Sequence, residues 1–513
     1  MLTVELRKVS LLHYSPALVL MIIAVADAGR FADPDLWRHI VVGRAIIASH
    51  KINFGDPYTY SVAGHTWHNH SWLAEAISAW FYDTTGVFGL NLMKLACTAG
   101  LILALVIGCS DTGASTLVQF VVILVSGVLL EPFLQFRPQL YTYLLFAFVL
   151  LLLVRHNFRG KERLWLAVPI MALWANLHGG FVVGIAALGG YSAACIAQDL
   201  TGRREWGRGI ALSCLTAVCV AATLATPYGI GSWYTVAHSA TSAEAQGAIT
   251  EWRPLLAAMA LQWQESHKSL IFYVMVLGLM GSLAASVVAA PQGDDFPLLT
   301  IAAITIIGAF VALRNVPLAV IAIAVPLCRH ASLALDRLGW RAEKTAEERA
   351  GIGNQIVLAA LALGLMGASG FFSRRLPATI PYPGGAVAFM DSHSLHGNIL
   401  NDVNWGDYLL WHAPNSKIFI DGRFETLFPA KFIREYLVFH VGKPAGLHLL
   451  DEYPHDFVLM PPQSGAAHLM ETRKDWTLIY RDANAALFAP ARSSAARIQG
   501  VPFEGKAPRS YFP

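Results

Sequence analysis

The chain has 513 residues, 55% of them hydrophobic and only 14% charged, with a mean hydropathy of +0.49. A soluble domain needs more charge than this to cover its surface, so the composition excludes an ordinary water-soluble protein and indicates several membrane spans. The net charge of +3, without any basic block, argues against a nucleic-acid partner.

A membrane span needs roughly 17–25 apolar residues. Eleven runs read as spans: about 11–28, 88–108, 115–131, 138–154, 163–177, 180–198, 209–225, 268–290, 297–313, 316–333 and 352–372. The first is read as an uncleaved span rather than a removed leader, despite the small residues of "ADAGRFADPD". All six cysteines lie in or beside apolar runs and none forms a CxxC pair, so neither disulfides nor structural zinc is expected.

Loop charge sets the expected orientation. Arg7 and Lys8 precede the first run, which puts the N-terminus in the cytoplasm, and "RHNFRGKER" (155–163), "GRREWGR" (202–208) and 329–349 then fall on the same side. By this reading cytoplasmic segments carry 14 Lys and Arg over roughly 60 residues, against 9 over roughly 113 outside. The discordant loop, "PQGDDFP" (291–297), is acidic, and acids weigh little in topology. The C-terminal region is left outside.

Two outer loops are long. In the first (29–87), "DLWRHIVVGRAIIASH" reads as an amphipathic helix with Leu36, Ile40, Val41 and Ala45 on one face. "INFGDPYTYSVAGHTW" supplies turns, and "SWLAEAISAWFYD" gives a second amphipathic helix; both helices are expected to lie on the membrane surface. The second long loop covers 226–267. From about 376 the chain turns polar, and strand-like runs ("NILND", "KIFID", "DFVLMP", "TLIYRD", "AALFAP") alternate with helical ones ("WGDYLLWH", "PAKFIREYLVFH"). The expected architecture is therefore a helical polytopic membrane domain, 1–375, and an outer α/β domain, 376–513.

Polar groups near membrane depth are costly, and in this topology the unusual ones converge on the outer face. The first loop holds Asp33, Asp35, His39, His68, His70 and Glu75. Span ends add Glu131, Arg137, Asn176, His178, Tyr228, Glu251, Arg253 and Arg314. Carboxylates and histidines suit a general base or a divalent-cation site, and span-end arginines suit an anionic group at the boundary. Together they suggest transfer from a lipid-linked phosphate. Each residue has a plainer role: Asp33 or Asp35 as a helix cap, Arg137 as a snorkelling anchor, and His178 as a partner for freed backbone groups. Asp421 and Arg423 in "IFIDGRFE" read either as a recognition surface or as a local ion pair at a strand end.

Residues 32–76, "ADPDLWRHIVVGRAIIASHKINFGDPYTYSVAGHTWHNHSWLAEA", resemble the first outer loop of bacterial integral-membrane glycosyltransferases of the GT-C superfamily. "FRPQLYTYLLF", "WANLHGGF", "TPYG", "EWRP", "RNVPL" and "VNWGDYLLWHAPNSKIFIDGR" fit the same branch, so the resemblance covers most of the chain. It implies a place in a bacterial inner membrane and sugar transfer from a polyprenyl-phosphate-linked donor to a glycan, lipid or protein acceptor of the cell envelope. By resemblance Asp33, Asp35 and Glu75 take the acidic catalytic role, with Asp33 the first choice. Arg137, His178, Arg253, Arg314 and Tyr228 are assigned to the donor phosphate, and His39, His70, Trp37, Asn176 and Glu251 to orienting the acceptor. A divalent metal, Mg or Mn, is allowed for on Asp33, Asp35 and His70; no organic cofactor is expected. The chain departs from the pattern at Ser71, where the branch has an acid, and at Arg38, where it has a second Trp. Two alternatives compete: a transporter or flippase for a lipid-linked or anionic solute, and a non-catalytic envelope assembly protein.

Overall fold

The computed structural model describes residues 33–160, 163–202, 207–241, 250–265, 270–340, 376–377, 380–424, 426–498 and 511–512. The spans expected at 11–28 and 352–372 lie outside them. In chain order the helices are α1 (Leu36–Ser49), α2 (Trp72–Thr85), α3 (Val87–Asp111), α4 (Thr116–Leu130), α5 (Gln139–Arg159), α6 (Ala167–Leu177), α7 (Phe181–Leu200), α8 (Arg208–Ala222) and α9 (Ile230–Thr241). They continue with α10 (Leu255–Glu265), α11 (Leu270–Ala289), α12 (Phe296–Val311), α13 (Val316–Arg337), α14 (Gly384–Ser392), α15 (Gly406–His412), α16 (Ala430–His440), α17 (His448–Glu452) and α18 (Gly465–Glu471).

Each of the other nine expected spans is a helix. Six are long and apolar enough to cross a membrane: Val87–Asp111, Thr116–Phe133, Gln139–Arg159, Phe181–Leu200, Leu270–Ala289 and Leu313–Arg337. Leu164–Leu177, Arg208–Ala222 and Phe296–Val311 are apolar but shorter. The chain is an integral membrane protein by these helices.

The chain divides into two compact units. The helical one is drawn from 88–229 and 249–374, the other from 30–87, 230–248 and 375–513.

In the helical unit, polar contacts sort the helix ends into two opposite sets. At one end, Asp111 accepts from Arg155 (3.1 Å) and Arg159 (3.0 Å), Arg208 donates to His156 (3.0 Å), and Ser115 N–H donates to Ser332 Oγ (2.9 Å). Asp294 of the acidic "PQGDDFP" loop takes Arg329 at 2.6 Å, which explains an acidic loop among basic ones. At the other end, Asn176 donates to the Ala225 carbonyl (2.8 Å), and Leu313 N–H to the Arg253 carbonyl (2.9 Å). These are the two loop sets that the basic residues separated in the sequence.

In the second unit, a short β1 (Leu376–Pro377) pairs antiparallel with β7 (Tyr511–Phe512), while β2 (Asn398–Asn401), β3 (Lys417–Ile418), β4 (Phe457–Met460), β5 (Trp476–Arg481) and β6 (Ala486–Pro490) form one sheet in the order β3-β2-β4-β6-β5. β2 runs parallel to β3 and β4, and β6 antiparallel to β4 and β5. All four residues of β4 are buried, as expected of a strand covered on both faces. Every strand-like and helical run expected after 376 is present.

The first loop is built into this unit. Residue Thr59 bridges Ile418 in parallel, with Tyr60 N–H on the Ile418 carbonyl (3.2 Å) and Ile418 N–H on the Tyr58 carbonyl (3.3 Å), so the loop lines the free side of β3. The first loop helix, α1, does not fit the expectation of lying flat on a membrane surface. The first half of α1 is buried, Arg38 and His39 included. Trp37 is packed edge-on against Tyr382, Tyr408, Trp411 and His412. Val41 and Ala45, expected on the apolar face, are only half-buried, while Val42 and Gly43 are buried. A Cβ at Gly43 would stand 2.1 Å from the Glu75 carbonyl oxygen, so glycine sets how closely α1 and α2 approach.

Candidate active site

The first-loop acids occupy three different environments. Asp33 is 4% exposed, and its Oδ1 accepts the Asp35 N–H at 3.0 Å, a local turn that fixes the carboxylate just ahead of α1. Asp35 is the N-cap residue of α1, but its side chain makes no capping hydrogen bond; the carboxylate is a quarter exposed and lies 4.0 Å from Arg38 Nη2. The cap reading thus holds for the position of Asp35 and not for its side chain.

Glu75 is 1% exposed, and both its oxygens are engaged. Oε1 accepts from His39 Nδ1 at 2.8 Å and lies 3.5 Å from Arg38 Nη1, while Oε2 accepts from Asn69 Nδ2. A buried carboxylate needs such partners to offset its desolvation, and they hold Glu75 as a clamp between α1 and α2. The same bond assigns His39 to Glu75. His68 lies 3.2 Å from Thr235 Oγ1 through its Nδ1, joining the loop to α9.

Two acids that sequence reasoning passed over complete this region. Asp407, in the first turn of α15, accepts Arg38 Nε at 3.2 Å. Burial pushes its carboxyl well above the ordinary range, against the pull of Arg38, with Asp421 and Asp35 adding to the rise. Asp56 takes Arg423 Nη1 at 2.7 Å and the Thr59 N–H at 2.9 Å. Burial alone would raise its pKa, but Arg423 and the Thr59 hydrogen bonds bring it below the ordinary value. The signal in the sequence was indirect: Arg38 among the apolar residues at the start of α1 calls for a buried anion without saying which acid supplies it.

Asp421 and Arg423 are not a recognition surface. Arg423 is buried under the Trp67 ring, 4.5 Å from its centroid, and donates to both Asp421 and Asp56. The local ion pair was the right half of that expectation, extended by an acid from the first loop.

In the helical unit, the structure brings together Arg137, Glu251, Arg253 and Arg314. Arg137 Nη1 donates to Glu251 Oε1 at 2.7 Å, and the Arg314 guanidinium stacks 4.2 Å over the Trp252 ring. The "EWRP" and "RNVP" segments are joined through the Arg253 carbonyl. His178 is buried, with Nδ1 accepting from Gly180 N–H (3.0 Å) and from Thr142 Oγ1 (2.8 Å), which puts the ring proton of the neutral form on Nε2. Asn176 braces two backbone carbonyls, Ala172 and Ala225, and Tyr228 is buried.

Among the described residues, Asp33, Asp35 and His70 do not form a group whose ligand atoms all lie within 4.8 Å of one another. Among the described residues, the group whose ligand atoms lie within 4.8 Å of one another is Glu435, His448 and Glu452, at the surface of the second unit.

No protein-family model matches the chain, and no curated protein is detectably similar in sequence. Solved structures are similar in fold, and that fold is the one of GT-C membrane glycosyltransferases. The oligosaccharyltransferase of Archaeoglobus fulgidus, tethered to an acceptor peptide containing the NVT sequon, aligns with a TM-score of 0.57 at 13% identity, over 94% of this chain and 74% of its own. Its apo form aligns at 0.55 and 13%, over 94% and 75%. The arabinofuranosyltransferase AftD from Mycobacteria aligns at 0.51 and 14%, over 94% of this chain and 42% of that one.

Proposed function

We propose that this protein is a membrane glycosyltransferase that moves a sugar from a polyprenyl-phosphate-linked donor to an acceptor of the bacterial cell envelope, outside the cytoplasm. The observation that carries the reading is the buried, oriented carboxylate of Asp33 at the start of the first loop, in a chain with the fold of known glycosyltransferases. Asp33 takes the proton of the acceptor hydroxyl as its oxygen bonds to the anomeric carbon. The bond from that carbon to the lipid phosphate breaks, and the phosphate leaves with the electron pair. By the resemblance, the leaving phosphate is assigned to Arg137, His178, Arg253, Arg314 and Tyr228, of which the arginines carry the positive charge it requires. Asp35 is the second acid of the pair, and Glu75 serves as frame rather than base because both of its oxygens are engaged.

The test uses purified protein in proteoliposomes with a panel of radiolabelled undecaprenyl-phosphate-linked hexoses and pentoses, and a cell-envelope extract as acceptor. Asp33→Asn is expected to lower transfer by about 10²–10⁴-fold with unchanged membrane insertion. Transfer at the wild-type rate in Asp33→Asn would remove the base assignment. Solute counterflow without any glycosyl product would remove the enzyme reading in favour of a transporter.

A further inference from the structure

We infer that Asp407, more than 360 residues away in sequence, is a positioning residue for the first-loop acids and acts through Arg38. The inference rests on the proposed role of the Asp33–Asp35 pair. A guanidinium is a rigid plane with five donors, so fixing one edge aims the others. Asp407 Oδ1 holds Nε at 3.2 Å; in that orientation Nη1 stands 3.5 Å from Glu75 and Nη2 4.0 Å from Asp35. Asp35 in turn holds Asp33 through its backbone N–H.

A second contact works on the same acids. A Cβ on Gly422 would lie 2.8 Å from Asp35 Oδ1 and 3.5 Å from Asp407 Oδ2. The turn after β3 therefore rests its backbone against both carboxylates, and only glycine leaves Asp35 its place there. The C-terminal segment thus sets the geometry of an acid site whose acids belong to the first loop.

The test takes the full chain with Asp407→Asn, Asp407→Glu and the charge-balanced pair Arg38→Gln/Asp407→Asn. The first readout is hydrogen–deuterium exchange, which needs no substrate. Amides of 33–39 are expected to exchange at least about tenfold faster in Asp407→Asn and in the balanced pair, while those of β4 and β6 stay as in the wild type. The second is turnover of whichever labelled undecaprenyl-phosphate sugar the wild type uses: kcat is expected to fall about 10–100-fold, with the donor KM within twofold and partial rescue by Asp407→Glu.

Unchanged exchange at 33–39, or a balanced pair that turns over at the wild-type kcat, would overturn the inference and leave Asp407 a mere counter-charge for Arg38. Failure of the underlying base assignment looks different: Asp33→Asn and Asp35→Asn would both keep the wild-type rate.

Discussion

Arg423→Met removes the cation from a buried triad and strands two carboxylates, Asp56 and Asp421, whose side chains are 0% exposed. Breaking a buried pair by removing one partner costs about 3–5 kcal/mol, and two stranded acids place this variant in the upper part of that range. Asp56→Asn is milder. Arg423 keeps Asp421, and an asparagine carbonyl still accepts the Thr59 N–H, so the loss is the charge-assisted hydrogen bond from Arg423, about 1.5–3 kcal/mol, together with the long one from the Tyr58 N–H. Because Asp56 is no longer stranded once it is neutral, the double variant should cost less than the sum by about 1 kcal/mol or more. Pulse proteolysis of the full chain in detergent, across a urea series, measures these differences through cleavage of the second unit. The pH dependence has a fixed sign. The Asp56 pKa is depressed from 3.8, so its contribution is complete above that value and is lost as pH falls through the lower, folded value. The gap between wild type and Asp56→Asn should therefore close in strong acid. An Arg423→Met variant within 1 kcal/mol of wild type, or strictly additive costs, would show that the triad does not hold the first loop.

Gly43→Ala should destabilise the packing of α1 on α2 by about 1–3 kcal/mol, outweighing the roughly 1 kcal/mol that alanine normally adds to a helix; a raised melting temperature would contradict this. His412 is held at about 4 by burial, against 6.5 when free, so the unfolded chain binds the extra proton between those values. Stability should fall by about 3 kcal/mol as pH drops through that window, with His455, also lowered by burial, acting in the same direction. His412→Phe should flatten the profile, and equal melting temperatures of wild type at pH 7.5 and 4.5 would refute it. The Arg137–Glu251 pair is partly solvated, at 23% and 45% side-chain exposure, so a double-mutant cycle on melting should return a coupling of about 0.2–1 kcal/mol. A coupling above about 2 kcal/mol would mean that the pair is far better shielded than its exposure indicates.

Periodicity and hydropathy carried the parts of the fold that depend on local sequence. The span helices and the strands of the C-terminal region were legible because each is set by a run of apolar residues of the right length and period. The docking of the first loop was not. It depends on Thr59 meeting Ile418 and Arg38 meeting Asp407, and no local pattern identifies partners so distant. The amphipathic face of α1 was placed one position off, since Val41 and Val42 serve a helical stripe equally until the packing against α15 is known. Among site residues, Asp33 and the span-end arginines stood out by falling together on one face of the expected topology, although each has a plainer role taken alone. Asp56 and Asp407 did not, because an acid in a turn and an acid in a first helical turn already have ordinary reasons to be there.

The separation between Arg38 and Asp407, 369 residues, also has a meaning in time. At about 5–20 residues per second, a ribosome takes roughly 20–75 s to travel from one to the other. Throughout that interval the first loop has been made while the other side of its sheet has not, and Arg38 and Glu75 cannot be buried among all their final partners. The nascent chain must carry this loop exposed while nearly all of the helical unit is synthesised. Premature termination anywhere before residue 407 would leave it that way permanently, a ready substrate for quality-control proteases.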